Sequence, residues 1–175
     1  MANAEKKKII VTDDHHIVRK GIVHMINESP INADVHECSN GTETFQELEQ
    51  GRCDVLLLDI SLPGESGIEI FKRVRLLYPD LPVLFVTMFS NSDYVKLAVR
   101  LGASGYIVKD SSIDQLAFAL QEVLDGKRYF GGDLLLHFFE NAHGEVKQQM
   151  VSGRKEGNKL GILSKREREV FMGLA

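Results

Sequence analysis

The chain has 175 residues, 43% of them hydrophobic and 26% charged, with a formal net charge of −4. That is room for one full domain and a short remainder, in the composition range of ordinary soluble globular proteins. No apolar stretch approaches the roughly 18 residues of a membrane span, and the start, Met1-Ala-Asn-Ala-Glu-Lys-Lys-Lys8, lacks the apolar core of a signal peptide. Charge is unevenly spread. Residues 141–175 hold seven Lys/Arg against four Asp/Glu, which leaves the first 140 residues at −7. So acidic a first region is a poor nucleic-acid binder, whereas the basic end suits either part of such a binder or a solvated linker. Cys38 and Cys53 have no metal-ligand spacing, and a reducing cytoplasm suits both.

In chain order, short apolar runs alternate with helical patterns. The first run, Lys8-Ile-Ile-Val-Thr12, ends in Asp13 and Asp14. Val18, Ile22, Met25 and Ile26 then share one helical face. A second strand is predicted over 34–38 and a short helix over 42–50, with Phe45 and Leu48 inward. The third run, Val55-Leu-Leu-Leu58, ends in Asp59 and leads into the loop Ser61-Leu-Pro-Gly-Glu65. Ser66 opens a helix with Glu69 three residues on, a capping-box pattern; Ile70, Val74 and Leu77 form its buried stripe, and Pro79 stops it. The fourth run, Val83-Leu-Phe-Val, ends in Thr87, and Val95, Ala98, Val99 and Gly102 mark the helix after it. The fifth, Gly105-Tyr-Ile-Val, ends in Lys109. Ser112 and Gln115 form a second capping box, followed by Ile113, Leu116, Leu120 and Val123 at helical spacing, and Gly126 closes that helix. Five strands alternating with five helices predict a doubly wound parallel α/β sheet. Beyond it, Asp133–Glu140 reads as a short, very apolar helix and 141–161 as a flexible, glycine-containing linker.

In an open parallel sheet, ligands bind outside the carboxyl ends of the strands. One sheet would therefore bring Asp13, Asp14, Asp59, Thr87 and Lys109 to one edge. Three carboxylates that close repel each other and retain a proton unless a cation offsets them. The pattern thus points to a divalent metal. Each residue taken alone has a plainer role: Asp13-Asp14 could cap the next helix, Lys109 could be a solvated loop lysine, and Tyr106 a half-buried aromatic. His15 and His16 follow the acids directly, but an oxygen-rich site suits Mg²⁺ better than it suits imidazole-seeking metals.

Asp13-Asp14, the segment Asp59-Ile-Ser-Leu-Pro-Gly-Glu-Ser-Gly67, Thr87, Tyr106 and Lys109, in this order and spacing, closely resemble a response-regulator receiver domain over residues 7–126. The resemblance implies a flavodoxin-like strand order 2-1-3-4-5. It implies that Asp59 accepts a phosphoryl group from a sensor histidine kinase, a carboxylate acting as nucleophile. It assigns Mg²⁺ to the Asp14 and Asp59 carboxylates and the Ser61 backbone carbonyl, with Asp13 acting mainly through water. Lys109 and Thr87 would contact the phosphate, and Tyr106 would be a rotameric switch that follows Thr87. Homodimerisation on phosphorylation is implied as well.

Residues 163–175, Leu-Ser-Lys-Arg-Glu-Arg-Glu-Val-Phe-Met-Gly-Leu-Ala, resemble the first helix of a LuxR-type helix-turn-helix domain. Residues 127–162 would be the extra helix and linker. Together the parts resemble the NarL/FixJ transcription regulators, truncated within the DNA-binding domain. The full-length protein would bind DNA; this chain, without the second helix, is not expected to do so specifically. The expectation is a cytoplasmic switch rather than an enzyme. The alternative is a haloacid-dehalogenase-like phosphohydrolase with Asp59 as nucleophile, but that chemistry needs an acid where Ser61 stands.

Overall fold

A computed structural model describes residues 6–131. In chain order the elements are β1 (Lys7–Thr12), α1 (His16–Glu28), β2 (Ala33–Cys38), α2 (Gly41–Glu49), β3 (Val55–Leu58), α3 (Gly67–Leu77), β4 (Val83–Thr87), α4 (Ser92–Arg100), β5 (Gly105–Val108), α5 (Ile113–Leu124) and β6 (Tyr129–Phe130). The sheet order is β2-β1-β3-β4-β5-β6, with every pair parallel. This is the expected doubly wound fold with one strand more than the apolar runs predict. β6 has two residues, too few for any periodicity to show. It forms because Gly126, at φ +79°, turns the chain after α5, and because Gly105 has no Cβ to strike the Tyr129 carbonyl or the Leu84 side chain. The Tyr129 N–H then donates to the Ser104 carbonyl at 2.9 Å.

The strand residues alternate between two apolar layers. Ile10, Leu56, Leu58 and Phe85 face Phe45 of α2, Ile70, Phe71 and Val74 of α3, and Val95 and Ala98 of α4. Ile9, Val11, Leu57, Leu84, Val86 and Ile107 face Ile22 and Ile26 of α1 and Leu116, Leu120 and Val123 of α5. Because both faces are covered, the strands read as unbroken apolar runs.

Two local expectations are corrected. Leu77, the last residue of α3, is 63% exposed and is not part of the buried stripe. Ser66 caps α3 by accepting from the Ile68 N–H at 3.2 Å, but Glu69 does not return the bond; it pairs outward with Lys72 at 2.8 Å. The Ser112–Gln115 capping box forms in full. The expected helix over 133–140, the linker over 141–161 and the segment 163–175 lie outside the described residues.

Burial pushes the Cys38 thiol up to about 12, helped by the Glu47 and Glu43 carboxylates. Burial likewise pushes the Cys53 thiol up to about 11. In the unfolded chain these thiols ionise near 9, while in the fold they stay neutral well above it. Their contribution to stability is therefore complete below pH 9 and lost as pH rises from there through about 11 and 12. Urea denaturation from about pH 8 to about pH 10.5 should show falling stability, and a Cys38→Val, Cys53→Val double variant should show a shallower fall.

Candidate functional site

The sheet's hydrogen bonding continues one residue past the strands, and this positions the acids. The Asp13 N–H donates to the Cys38 carbonyl at 3.1 Å and the Asp59 N–H to the Thr12 carbonyl at 2.9 Å. On the neighbouring strands, the Lys109 N–H donates to the Thr87 carbonyl at 2.8 Å. Lys109 therefore leaves β5 at the same edge as Asp13 and Asp59. Its ammonium donates to Asp59 Oδ2 at 2.6 Å and lies 2.7 Å from Asp13 Oδ2. The three side chains are only 4%, 2% and 1% exposed, in that order. The Ser61 N–H donates to the other Asp59 oxygen, Oδ1, at 3.2 Å and so fixes the carboxylate plane.

One ammonium faces two buried carboxylates, and Asp14 adds a third, partly exposed, beside them. The cluster is electrostatically incomplete. Asp13 Oδ2 and Asp14 Oδ1 are buried and have no hydrogen-bond partner; the approach of Lys109 to Asp13 Oδ2 is a charge contact without hydrogen-bond geometry. One ligand atom each from Asp13, Asp14, His15 and Asp59 lies within 4.8 Å of the others. Buried, unbonded oxygens converging at that spacing fit a hard divalent cation, for which carboxylate oxygens are the natural donors.

Thr87 and Tyr106 are fully buried, and both meet the loop between β4 and α4. The Thr87 hydroxyl accepts from the Phe89 N–H at 3.5 Å, and the Tyr106 hydroxyl donates to the Phe89 carbonyl at 2.7 Å. Burial raises the Tyr106 phenol above its ordinary value, with Tyr94 and Asp59 adding to the effect, so it remains a donor. Among the described residues neither hydroxyl bonds an acid of the cluster. The site residues thus fall into two groups: Asp13, Asp14, Asp59, Ser61 and Lys109 converge, while Thr87 and Tyr106 share Phe89.

Arg19, which sequence patterns pass over, shapes the site together with Gly67 and His15. Arg19 on α1 donates from Nη1 to the Asp13 carbonyl and from Nε to Glu37 Oε2 at 3.2 Å; Lys20 holds the other Glu37 oxygen at 2.6 Å. In the sequence Arg19 is one polar position of an amphipathic helix, and nothing local ties it to Glu37. Gly67 starts α3 against the site, where any Cβ would overlap the Asp59 carbonyl. The imidazole of His15 lies against the Asp13–Asp14 pair.

The model of the response regulator receiver domain matches residues 9–121. The oxygen regulatory protein NreC of Staphylococcus epidermidis is 34% identical over 165 residues, spanning 94% of this chain and 75% of that protein. A LuxR-family two-component response regulator from Aurantimonas sp. SI85-9A1 superposes with a TM-score of 0.74 at 30% identity, covering 79% of this chain and 99% of that one. The REC domain of RcsB from Salmonella enterica serovar Typhimurium, solved with the phosphomimetic BeF3⁻, superposes with a TM-score of 0.68 at 25% identity over 74% of this chain and 96% of that one. The chain belongs to the response regulators of two-component systems, of the NarL/NreC type, a family of transcription regulators rather than of typical enzymes. The phosphohydrolase alternative draws no support from these matches.

Removing the ammonium from this cluster leaves two buried carboxylates facing each other. Lys109→Met should lower stability in EDTA by about 3 kcal/mol, as for one partner lost from a buried ion cluster. A divalent cation can replace the missing charge, so millimolar Mg²⁺ should restore more stability to the variant than it adds to the wild type. Thermal melts with and without Mg²⁺ measure both effects.

Proposed function

We propose that Asp59 is the phosphoacceptor of this response regulator, receiving its phosphoryl group from a sensor histidine kinase. The observation that carries the reading is the buried Asp59 carboxylate, held by Ser61 N–H and Lys109 Nζ beside two further acids. Phosphoryl transfer asks a protein mainly for positioning and charge stabilisation. The unbonded oxygens of Asp13 and Asp14 support the metal reading: Asp14, Asp59 and the Ser61 carbonyl would hold Mg²⁺, with Asp13 acting through water. Bound there, the ion supplies charge neutralisation for the transferring group.

The chain's own residues do the rest. A carboxylate oxygen of Asp59 attacks phosphorus; the O–P bond forms as the P–N bond to the kinase histidine breaks, and the departing imidazole takes a proton from solvent. Lys109 exchanges its contact with Asp59 for one with a phosphoryl oxygen. Ser61 offers no general acid at the position where a phosphohydrolase needs one, so the acyl phosphate is kept as a signal and phosphate esters are not turned over. Thr87 supplies the hydroxyl that the new phosphate attracts. Its loss from the Phe89 N–H would release the β4–α4 loop, to which Tyr106 is also bonded. The phosphate shifts this equilibrium only by binding one state better than the other.

On this reading residues 7–126 form the receiver, 127–162 a helix and linker, and 163–175 the start of the helix-turn-helix region. The regulator acts in the cytoplasm and dimerises when phosphorylated, and the full-length protein, rather than this chain, reaches DNA specifically through the helix-turn-helix region. Closed two-fold dimers are the commonest protein assemblies, and 30% identity to a LuxR-family regulator supports the DNA-directed output.

Acetyl phosphate with Mg²⁺ should add one phosphate to the chain by intact mass. Asp59→Asn should abolish the gain and EDTA should suppress it; equal labelling of the variant would reject Asp59. Thr87→Ala should still be phosphorylated, yet give smaller NMR shift changes at Tyr106 and over residues 91–101 on adding beryllofluoride. A full response from that variant would break the proposed coupling.

A further inference from the structure

His15 is the one member of the acidic cluster that is not an oxygen donor. Its backbone N–H donates to Asp13 Oδ1 at 2.9 Å, which ties the residue to the cluster at the start of α1. Its ring nitrogen Nδ1 lies 2.9 Å from Asp14 Oδ1 and 3.5 Å from Asp13 Oδ1. The shorter contact is not a hydrogen bond, because Asp14 Oδ1 has no hydrogen-bond partner. A spacing of 2.9 Å fits two neighbouring ligands of one ion, since donors on an octahedral centre with bonds of about 2.1 Å are about 3 Å apart. The ring is 62% exposed, so an ion reaches it without opening the fold. His36 Nδ1 on the edge strand β2 lies as near, 3.0 Å, to Glu47 Oε2, which likewise has no hydrogen-bond partner, so what sets His15 apart is not that spacing but the three carboxylates that converge with its ring.

We infer that His15 Nδ1 is a further ligand at the metal site of Asp14, Asp59 and the Ser61 carbonyl, beside Asp13, and that it makes the site prefer a first-row transition dication to Mg²⁺. This rests on the metal reading proposed above. Imidazole nitrogen adds little for Mg²⁺, which takes oxygen donors, but binds borderline ions such as Co²⁺, Fe²⁺ and Zn²⁺ well. Affinity for these ions also rises along the first row on any mixed nitrogen and oxygen site. His15 is then the specificity-determining residue of the cluster, while the carboxylates carry the affinity common to all divalent ions.

The experiment is a titration of the ¹⁵N-labelled 175-residue chain with Mg²⁺ and, separately, with Co²⁺, following amide shifts and, for Co²⁺, paramagnetic effects on the His15 ring. Wild-type chain should bind Co²⁺ more tightly than Mg²⁺, with paramagnetically shifted His15 ring signals. His15→Ala and His15→Phe should each weaken Co²⁺ binding by about tenfold or more, the loss of one metal-ligand interaction. Mg²⁺ binding should stay within about twofold in both variants, since the oxygen donors remain. His16→Ala should change neither, and Asp14→Asn should weaken both. Unchanged Co²⁺ affinity in both His15 variants would overturn the inference, as would a parallel loss of Mg²⁺ and Co²⁺ affinity, which marks His15 as a scaffold for the loop. A wild-type chain that binds neither ion at the cluster would instead refute the underlying metal reading, and the inference with it.

Discussion

A single ammonium shared by two buried carboxylates governs this molecule. Lys109 lies 2.6 Å from Asp59 and 2.7 Å from Asp13 at an edge of the sheet that water scarcely reaches. Taking these charges out of water costs several kcal/mol each in typical proteins, and their mutual attraction roughly offsets that cost at best. Such a cluster is a poor device for stability. It is better suited to binding, because it leaves negative charge and unbonded oxygens open to a further cation. The surroundings hold this arrangement in place. Strand pairing aligns the two acids, Arg19 anchors the Asp13 carbonyl, Ser61 orients the Asp59 carboxylate, and Gly67 lets α3 begin against the Asp59 backbone.

The second arrangement of consequence is the sharing of Phe89. Its N–H is held by Thr87 and its carbonyl by Tyr106, and its ring stacks on Tyr94 of α4 at 4.8 Å. One peripheral residue thus joins the end of β4, the core of β5 and the face of α4. An event that draws the Thr87 hydroxyl away acts on all three at once. Met88 and Phe89 are exposed on this loop, so a shift there alters apolar surface rather than the interior. The packed layers beneath, with Phe71 set edge-on to Phe85 at 5.2 Å, give a firm base against which a loop can move.

On the inference drawn for His15, this residue adds a distinction within the cluster. Carboxylates alone attract any hard dication, whereas a ring nitrogen at ligand spacing separates one class of ion from another. The two properties sit on adjacent residues, Asp14 and His15, at the start of a helix. Their relative placement is therefore set by a few backbone angles and by the Asp13 side chain that accepts the His15 N–H.

The fold class was legible in the amino-acid sequence because strands buried on both faces leave unbroken apolar runs, and helices between them leave a period of 3.6. The gathering of Asp13, Asp59 and Lys109 was legible for the same reason: each directly follows such a run, and parallel strands share a carboxyl edge. Where local chemistry is self-contained, as in the Ser112–Gln115 box, pattern and structure agree. Glu69 shows the limit, since a pattern cannot tell whether a glutamate returns to its own helix end or pairs with Lys72. β6 was invisible because two residues have no period, and it exists only where Gly105 leaves space. The roles of Arg19 and Phe89 were decided by tertiary structure alone. Each acts on groups that the crossovers bring near, and side-chain direction across a fold is not written in local spacing. Sequence by itself determined which strands form and what stands at their ends; the distances that turn those residues into one buried, charge-unbalanced cluster came only with the packed sheet.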